Sequence, residues 1–558
     1  MVRSQVKLQP KLSQRRIPLR HGPLFSLAVS IFFVLAGAAF LPRLGIENDE
    51  ALFATAFYLP ANSEQYIVHL GHSRLPLMLI HYLGTLKSWI YRPLLHFWGT
   101  SVEAMRLPVL LVGAATLWLF YLLLRRVAGE RAALIGCGLL SVDAMYLLTI
   151  CFDWGPVALQ HLLILGGALS LVRFWQDRNE PALALGFFLF GLALWDKAIA
   201  IWVLSGLGVA ALLTIPRQIF DRVTFRRVAV AVLALAFGAL PLIVYNLRSD
   251  MGTLKGTAAF DSSNLRSKAR ALERGLSGSL LFGWLTPENW QTQNPHAPRS
   301  RLELASAAVA ERSGHPRHSL VLYAFFAALL LAPLARGAAL RAILLATVAM
   351  IVAWCQMAFT AGAGGGAHHI LLLWPLPQAV IGISFSAASQ RLGRAGVPLL
   401  ATTLAVLLAS GLAVMNEYYA QVVRNGGAVA WTDAVFPLSS YLEKVPAQEL
   451  FCLDWGYLDT LRVLSNGRLP LRVGSVQISK QTLAPEDSRA LDQMISQPDH
   501  LFLAHTREFE FYPGLSARLT QYAEAAGYRR EILSIISDSY GRPTFEISRF
   551  HALPQNHL

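Results

Sequence analysis

Asp49 and Glu50, in Gly45-Ile46-Glu47-Asn48-Asp49-Glu50-Ala51-Leu52-Phe53-Ala54, form an acid pair just past the first apolar run of the chain. A carboxylate at the lip of a membrane span can act as a general base toward an acceptor hydroxyl or help hold a metal ion. Its plainer use is as a solvated loop acid that stops the span from sliding inward. Asp153, in Thr149-Ile150-Cys151-Phe152-Asp153-Trp154-Gly155-Pro156, stands in a second short connection. There Trp154 marks an interface, Gly155-Pro156 breaks one helix and starts the next, and Asp153 alternatively caps the following helix. Asp49, Glu50 and Asp153 together also offer hard oxygen ligands for a divalent metal.

Basic groups supply the complementary chemistry. Arg74 lies in Gly71-His72-Ser73-Arg74-Leu75-Pro76-Leu77, Lys197 in the turn Trp195-Asp196-Lys197, and Arg248 where an apolar run ends. Lys and Arg at span ends commonly snorkel to the interface, but cations on the outer side point to an anionic partner. The segment Ala361-Gly362-Ala363-Gly364-Gly365-Gly366-Ala367-His368-His369 feeds a helix N-terminus, whose free N–H groups suit a phosphate that His368 or His369 could also reach. Adjacent histidines project in different directions from a helix, which argues against a metal pair. A flexible turn with satisfied histidines is the plainer alternative.

These residues need a membrane to position them. Of 558 residues 54% are hydrophobic and 15% charged, which excludes an ordinary soluble globular protein. Twelve apolar runs between residues 24 and 415 are candidates to cross about 30 Å of hydrocarbon. The run 75–92 contains His81, Lys87 and Arg92 and is read as an interfacial helix, which leaves about eleven spans. Arg15, Arg16 and Arg20, then Arg125, Arg126 and Arg131, then Arg173 and Arg178, Arg217, Arg222, Arg226 and Arg227, Arg336 and Arg341, and Arg391 and Arg394 fall in alternate connections. The positive-inside rule makes those connections cytoplasmic, with the acids and the C-terminus outside. The net charge of +14 is therefore mainly a topology signal and not a nucleic-acid footprint. The four cysteines give no disulfide framework.

Three regions are expected: a basic cytoplasmic tail at 1–22, a membrane core at 23–415 with outer loops 42–105 and 247–318, and an outer α/β domain at 416–558. In the last, 449–453, 469–473, 500–504, 530–536 and 543–548 read as strands, and 487–496 and 515–526 as helices.

At these residues the chain resembles the polytopic glycosyltransferases of the C-type fold that use polyprenyl-phosphate sugars. These include the aminoarabinose transferases that modify lipid A and the protein O-mannosyltransferases of glycosyltransferase family 39. The resemblance rests on Asp49-Glu50 after the first span, Arg74-Leu75-Pro76-Leu77, Arg106-Leu107-Pro108, Asp153, Lys197, and His368-His369 before an apolar Leu-Leu-Leu-Trp-Pro segment. It covers most of residues 24–415. Two departures are Leu52, where many relatives carry arginine, and Arg74 in place of lysine.

The resemblance implies a membrane enzyme at the outer face of the cytoplasmic membrane, with a polyprenyl-phosphate sugar as donor, membrane lipids around it and an acceptor in the cell envelope. Asp49 would be the base, with Glu50 and Asp153 orienting the acceptor or holding Asp49. Arg74, Lys197 and Arg248, with His368 or His369, would bind the leaving phosphate. The alternative from another class is a transporter or flippase of a lipid-linked substrate. It requires acids along a path within the spans, for which Asp143 is the main candidate. A membrane scaffold whose outer domain binds a partner is a third reading.

Overall fold

A computed structural model describes residues 22–58, 66–155, 157–287 and 294–553, so the basic tail and Pro156 lie outside the described residues. Each of the eleven runs retained as spans is occupied by helix. Among the described residues six helices are long and apolar enough to cross a membrane, or eight spans if each of two bent pairs counts as one. One pair, Glu130–Ser141 and Ala144–Cys151, bends by 60° at Asp143, whose carboxylate caps the second half by accepting from Tyr146 N. The other, Phe225–Gly238 and Leu240–Arg248, bends by 72° where Pro241 cannot continue the hydrogen-bond ladder.

In lipid the apolar surface of a helix does not by itself drive association, so helices close on small residues. The first helix, Gly22–Phe40, shows this. It buries Gly22, Ser26, Ser30, Phe33, Gly37 and Phe40 at helical spacing, while Leu24, Leu27, Ile31 and Leu35 stay exposed. The helices Glu180–Asp196 and Phe225–Gly238 meet more closely still. A Cβ on Gly191 would lie 2.2 Å from the Leu235 carbonyl oxygen, and one on Gly238 would lie 2.3 Å from that of Phe188.

The arginine-bearing connections gather at one end of this bundle. Arg126 pairs with Asp177, Arg227 pairs with Glu180, and Arg222 donates to the Trp175 carbonyl. From that end, an apolar cavity of about 950 Å³ runs between the helices Ala158–Asp177, Ala200–Thr214 and Ala338–Ala358. Arg222 and Arg341 lie at one limit and Gln160, His161 and Trp374 at the other.

The segment 75–92 departs from expectation. It is not an interfacial helix: strands β1 (Tyr66–Leu70), β2 (Ser73–Ile80) and β3 (Leu83–Gly84) form an antiparallel sheet, and helix begins only at Leu86–Trp98. Pro76 has no N–H to offer a helix interior, and the two-residue turn Gly71-His72, with Gly71 at φ +58°, reverses the chain between β1 and β2. Arg74 therefore sits on a strand opposite His69 and does not begin a helix.

The stretch 247–318 carries three helices among the described residues, Gly252–Thr257, Leu265–Leu276 and Arg301–Ser313. The helix Gly396–Asn425 runs on past residue 415. Beyond it lies the expected α/β domain, built on a five-stranded sheet. Its strands are β4 (Glu449–Cys452), β5 (Leu471–Val473), β6 (His500–His505), β7 (Tyr528–Ser537) and β8 (Pro543–Ala552). They run in the order β5-β4-β6-β8-β7, with the β5-β4-β6 side parallel and the β6-β8-β7 side antiparallel. Every residue of β6 is buried because both faces are covered, by Tyr457 and Leu461 on one side and Leu491 and Leu519 on the other.

Candidate active site

Opposite the arginine end, the acid pair sits on the five-residue helix Asn48–Leu52. Glu47 caps this helix: its Oε2 accepts from the amides of Asp49 (2.7 Å) and Glu50 (3.2 Å). Glu50 is buried and takes a forked pair of bonds from Arg106 (2.6 and 2.8 Å). The remaining donors of the fully buried Arg106 reach the carbonyls of Leu41, Leu44 and Gly45. One guanidinium thus holds both the end of the first span and the acid loop. Glu50 serves as a structural anchor in this arrangement.

Asp153 is anchored in a similar way. It pairs with Lys87 from the helix Leu86–Trp98, and its Oδ1 accepts from Ala158 N (3.1 Å). Lys87 lies 3.6 Å from the ring centroid of Phe53, so the two acidic loops converge on one buried ammonium group.

Asp49 differs from both. It is half-buried, and among the described residues no donor reaches its carboxylate oxygens. Burial holds its pKa above the ordinary aspartate value; Lys197 opposes that shift and Asp459 adds to it. Lys197 is buried, with Nζ donating to the Gly155 carbonyl (2.5 Å). Burial pulls its pKa down to about 8 against the opposing effect of Asp49, Asp196 and Asp153. The small sheet braces this lysine: Ala198 N donates to Tyr82 O (2.8 Å) and Trp195 Nε1 to Leu77 O (2.9 Å).

His368 and His369 begin the helix Ala367–Ile370. Their rings lie side by side with centroids 4.1 Å apart, which corrects the expectation that they diverge. His368 packs on Trp154 and His369 on Trp202, and both buried Nδ1 atoms have no hydrogen-bond partner. Trp154 also stacks on Trp284, with centroids 5.5 Å apart. Among the described residues no group of three His, Cys, Asp or Glu side chains is placed to hold a metal ion. Glu50 and Asp153 are each committed to a cation, so the acids do not fit a metal centre.

Arg74 and Arg248 do not join this hydrogen-bonded cluster. Both are exposed, and Arg248 donates to Tyr66 on β1. Neither makes a hydrogen bond or ion pair with Asp49, Asp153 or Lys197 among the described residues. Sequence reasoning set Lys87 aside as a charge spoiling a span, and it took Arg106 only as part of a motif. A charge inside an apolar stretch near an acid was the available signal. Lys268, whose Nζ donates to the carbonyls of Ala358 and Thr360 (both 2.8 Å), adds a buried cation near His369.

Comparison with known proteins bears on the fold that carries this arrangement. Residues 85–244 match the family model described as dolichyl-phosphate-mannose-protein mannosyltransferase, a stretch that contains Lys87, Arg106, Asp153 and Lys197. No curated protein matches the chain. The crystal structure of ArnT from Cupriavidus metallidurans bound to undecaprenyl phosphate aligns with a TM-score of 0.54 at 13% identity, covering 94% of this chain and 97% of that one. The apo state of the same protein aligns equally well, with a TM-score of 0.54. The chain therefore has the C-type glycosyltransferase fold expected from its sequence, with a C-terminal sheet domain.

Proposed function

We propose that this chain is an integral-membrane glycosyltransferase that moves a sugar from a polyprenyl phosphate to an acceptor hydroxyl or phosphate in the cell envelope, at the outer face of the cytoplasmic membrane. The observation that carries the reading is the contrast among the acids. Glu50 and Asp153 are neutralised by Arg106 and Lys87, while Asp49 leaves its carboxylate open within electrostatic reach of Lys197. The matched family model and the ArnT fold support the reaction class.

In this mechanism Asp49 takes the proton of an acceptor hydroxyl, and the oxygen attacks the anomeric carbon. The bond from that carbon to the phosphate oxygen breaks, and its electron pair stays on the phosphate. Lys197, with His368 and His369 beside it, meets the negative charge that grows there, which favours the transition state over the ground state. A phosphate leaves without a general acid, and one displacement inverts the anomeric centre. The lipid tail of the donor fits the apolar cavity, whose inner limit at Gln160 touches the site, since Gln160 Nε2 donates to the Lys197 carbonyl (3.0 Å). Asp143, the main acid of the transporter reading, is buried and accepts from Trp374 and Gln378, which favours a structural role for it.

The test uses purified protein in liposomes with a panel of labelled polyprenyl-phosphate sugars and an envelope acceptor extract, the panel being validated with a control transferase. Release of free polyprenyl phosphate by wild type, lost in Asp49→Asn while donor binding persists, is expected. Full turnover in Asp49→Asn removes Asp49 from the role. Donor flipping without release overturns the transferase reading in favour of transport.

A further inference from the structure

The outer domain does more than cover the site. Its helix Leu458–Leu464 packs on the acid-loop helix, and the hydrogen bonds between them are reciprocal. Asp459 N donates to Asn48 Oδ1 (3.0 Å), and Asn48 Nδ2 donates to Asp459 Oδ2 (3.3 Å). Thr460 Oγ1 donates to the Ile46 carbonyl (3.1 Å), and Gly45 N donates to the Trp431 carbonyl (3.0 Å). Asp459 is itself oriented by Arg462 (3.0 Å), and Asn48, Asp459 and Thr460 are all buried. Residues 45, 46 and 48 are thus fastened from the outer domain and Glu50 from Arg106. Asp49, between these fixed points, has little freedom to change its aim.

We propose that Asp459 is a positioning residue, through which the outer domain aims the Asp49 carboxylate and adjusts its charge without touching substrate. The inference rests on the reading of Asp49 as base. The bond from Asn48 does not by itself require an acid at 459, because an asparagine oxygen could accept it, but the aspartate also accepts from Arg462 on its other oxygen. What the aspartate adds is a negative charge that disfavours ionisation of Asp49 and so makes it a stronger base. The other groups facing Asp49 are Lys197 after the helix Glu180–Asp196, Tyr82 between β2 and β3, and Glu47 at the helix cap. Asp459 thus opposes Lys197.

The experiment uses the full chain in lipid nanodiscs and reads two quantities. The first needs no substrate: labelling of Asp49 by a hydrophobic carbodiimide, which reacts with the protonated carboxyl, followed by peptide mass spectrometry across pH. Asp459→Asn is expected to move the labelling midpoint to lower pH by at least about half a unit. The second is turnover. Asn48→Ala, which keeps the charge at 459 but cuts the link, is expected to lower kcat by on the order of 10- to 100-fold, with the donor KM within about twofold. Thr460→Val provides a milder cut should Asn48→Ala fail to fold.

An unmoved midpoint in a folded Asp459→Asn protein overturns the proposal even if the enzyme is active. Wild-type kcat in Asn48→Ala, or in Thr460→Val where that variant stands in for it, does the same. A wild type that transfers no sugar overturns the transferase reading instead, and the labelling midpoint then decides the link by itself.

Discussion

Arg106 and Lys197 are two buried cations with different roles, and their variants should separate them. Arg106 spends its donors on Glu50 and three carbonyls, so Arg106→Met leaves a buried carboxylate unpaired. A loss of about 3–5 kcal/mol in stability is expected, read as a lower thermal midpoint in detergent. Replacing Glu50 with leucine in the same protein should recover much of it. Lys197 instead should show itself in the pH profile. On the acid side kcat/KM should fall as Asp49 gains its proton, with a midpoint above the ordinary aspartate range. On the alkaline side it should fall near pH 8 as Lys197 loses charge. In Lys197→Arg the guanidinium stays charged, so the alkaline limb should recede to higher pH whatever the residual rate. An unchanged limb would remove Lys197 as its source. Asp49, Asp153 and Lys197 were legible because each stands at the end of an apolar run, where a charge is conspicuous. The partners of Glu50 and Asp153 were not, since pairing across loops leaves no mark in one sequence. Arg74 and Arg248 were conspicuous for the same reason as Lys197, but only the fold shows them to be exposed and not bonded to it.

Among the elements, the crossing at Gly191 and Gly238 bears on Lys197 because the helix Glu180–Asp196 ends beside it. Gly191→Val pushes a side chain into the Leu235 carbonyl. It should cost roughly 1–3 kcal/mol and lower turnover by shifting Lys197, both measurable on one preparation. The apolar runs predicted the helices well because burial in lipid demands long uninterrupted segments with satisfied backbones. The same logic misread 75–92, where the apolar character comes from strands packed on protein. Pro76 and the Gly71-His72 turn were the cues that length obscured. The outer domain was readable from alternating strands and amphipathic helices, but its grip on the acid loop was not.

For the whole molecule, the gathering of arginines at one end and of acids at the other fixes which connections share a side, and the proposed orientation gives that side a name. A membrane-impermeant maleimide should label Leu553→Cys in intact spheroplasts and Val223→Cys only after permeabilisation, because both positions are exposed. The reverse pattern would invert the orientation. The bonds between Asn48 and Asp459 join residues 411 positions apart. At ribosomal speeds of about 5–20 residues per second, the acid loop emerges roughly 20 to 80 s before the helix that fastens it has been made. For that interval the nascent chain carries an unaimed carboxylate at the membrane surface. On the proposed link, the base is aimed only once translation of the last quarter of the chain is under way, so synthesis itself acts as a timer.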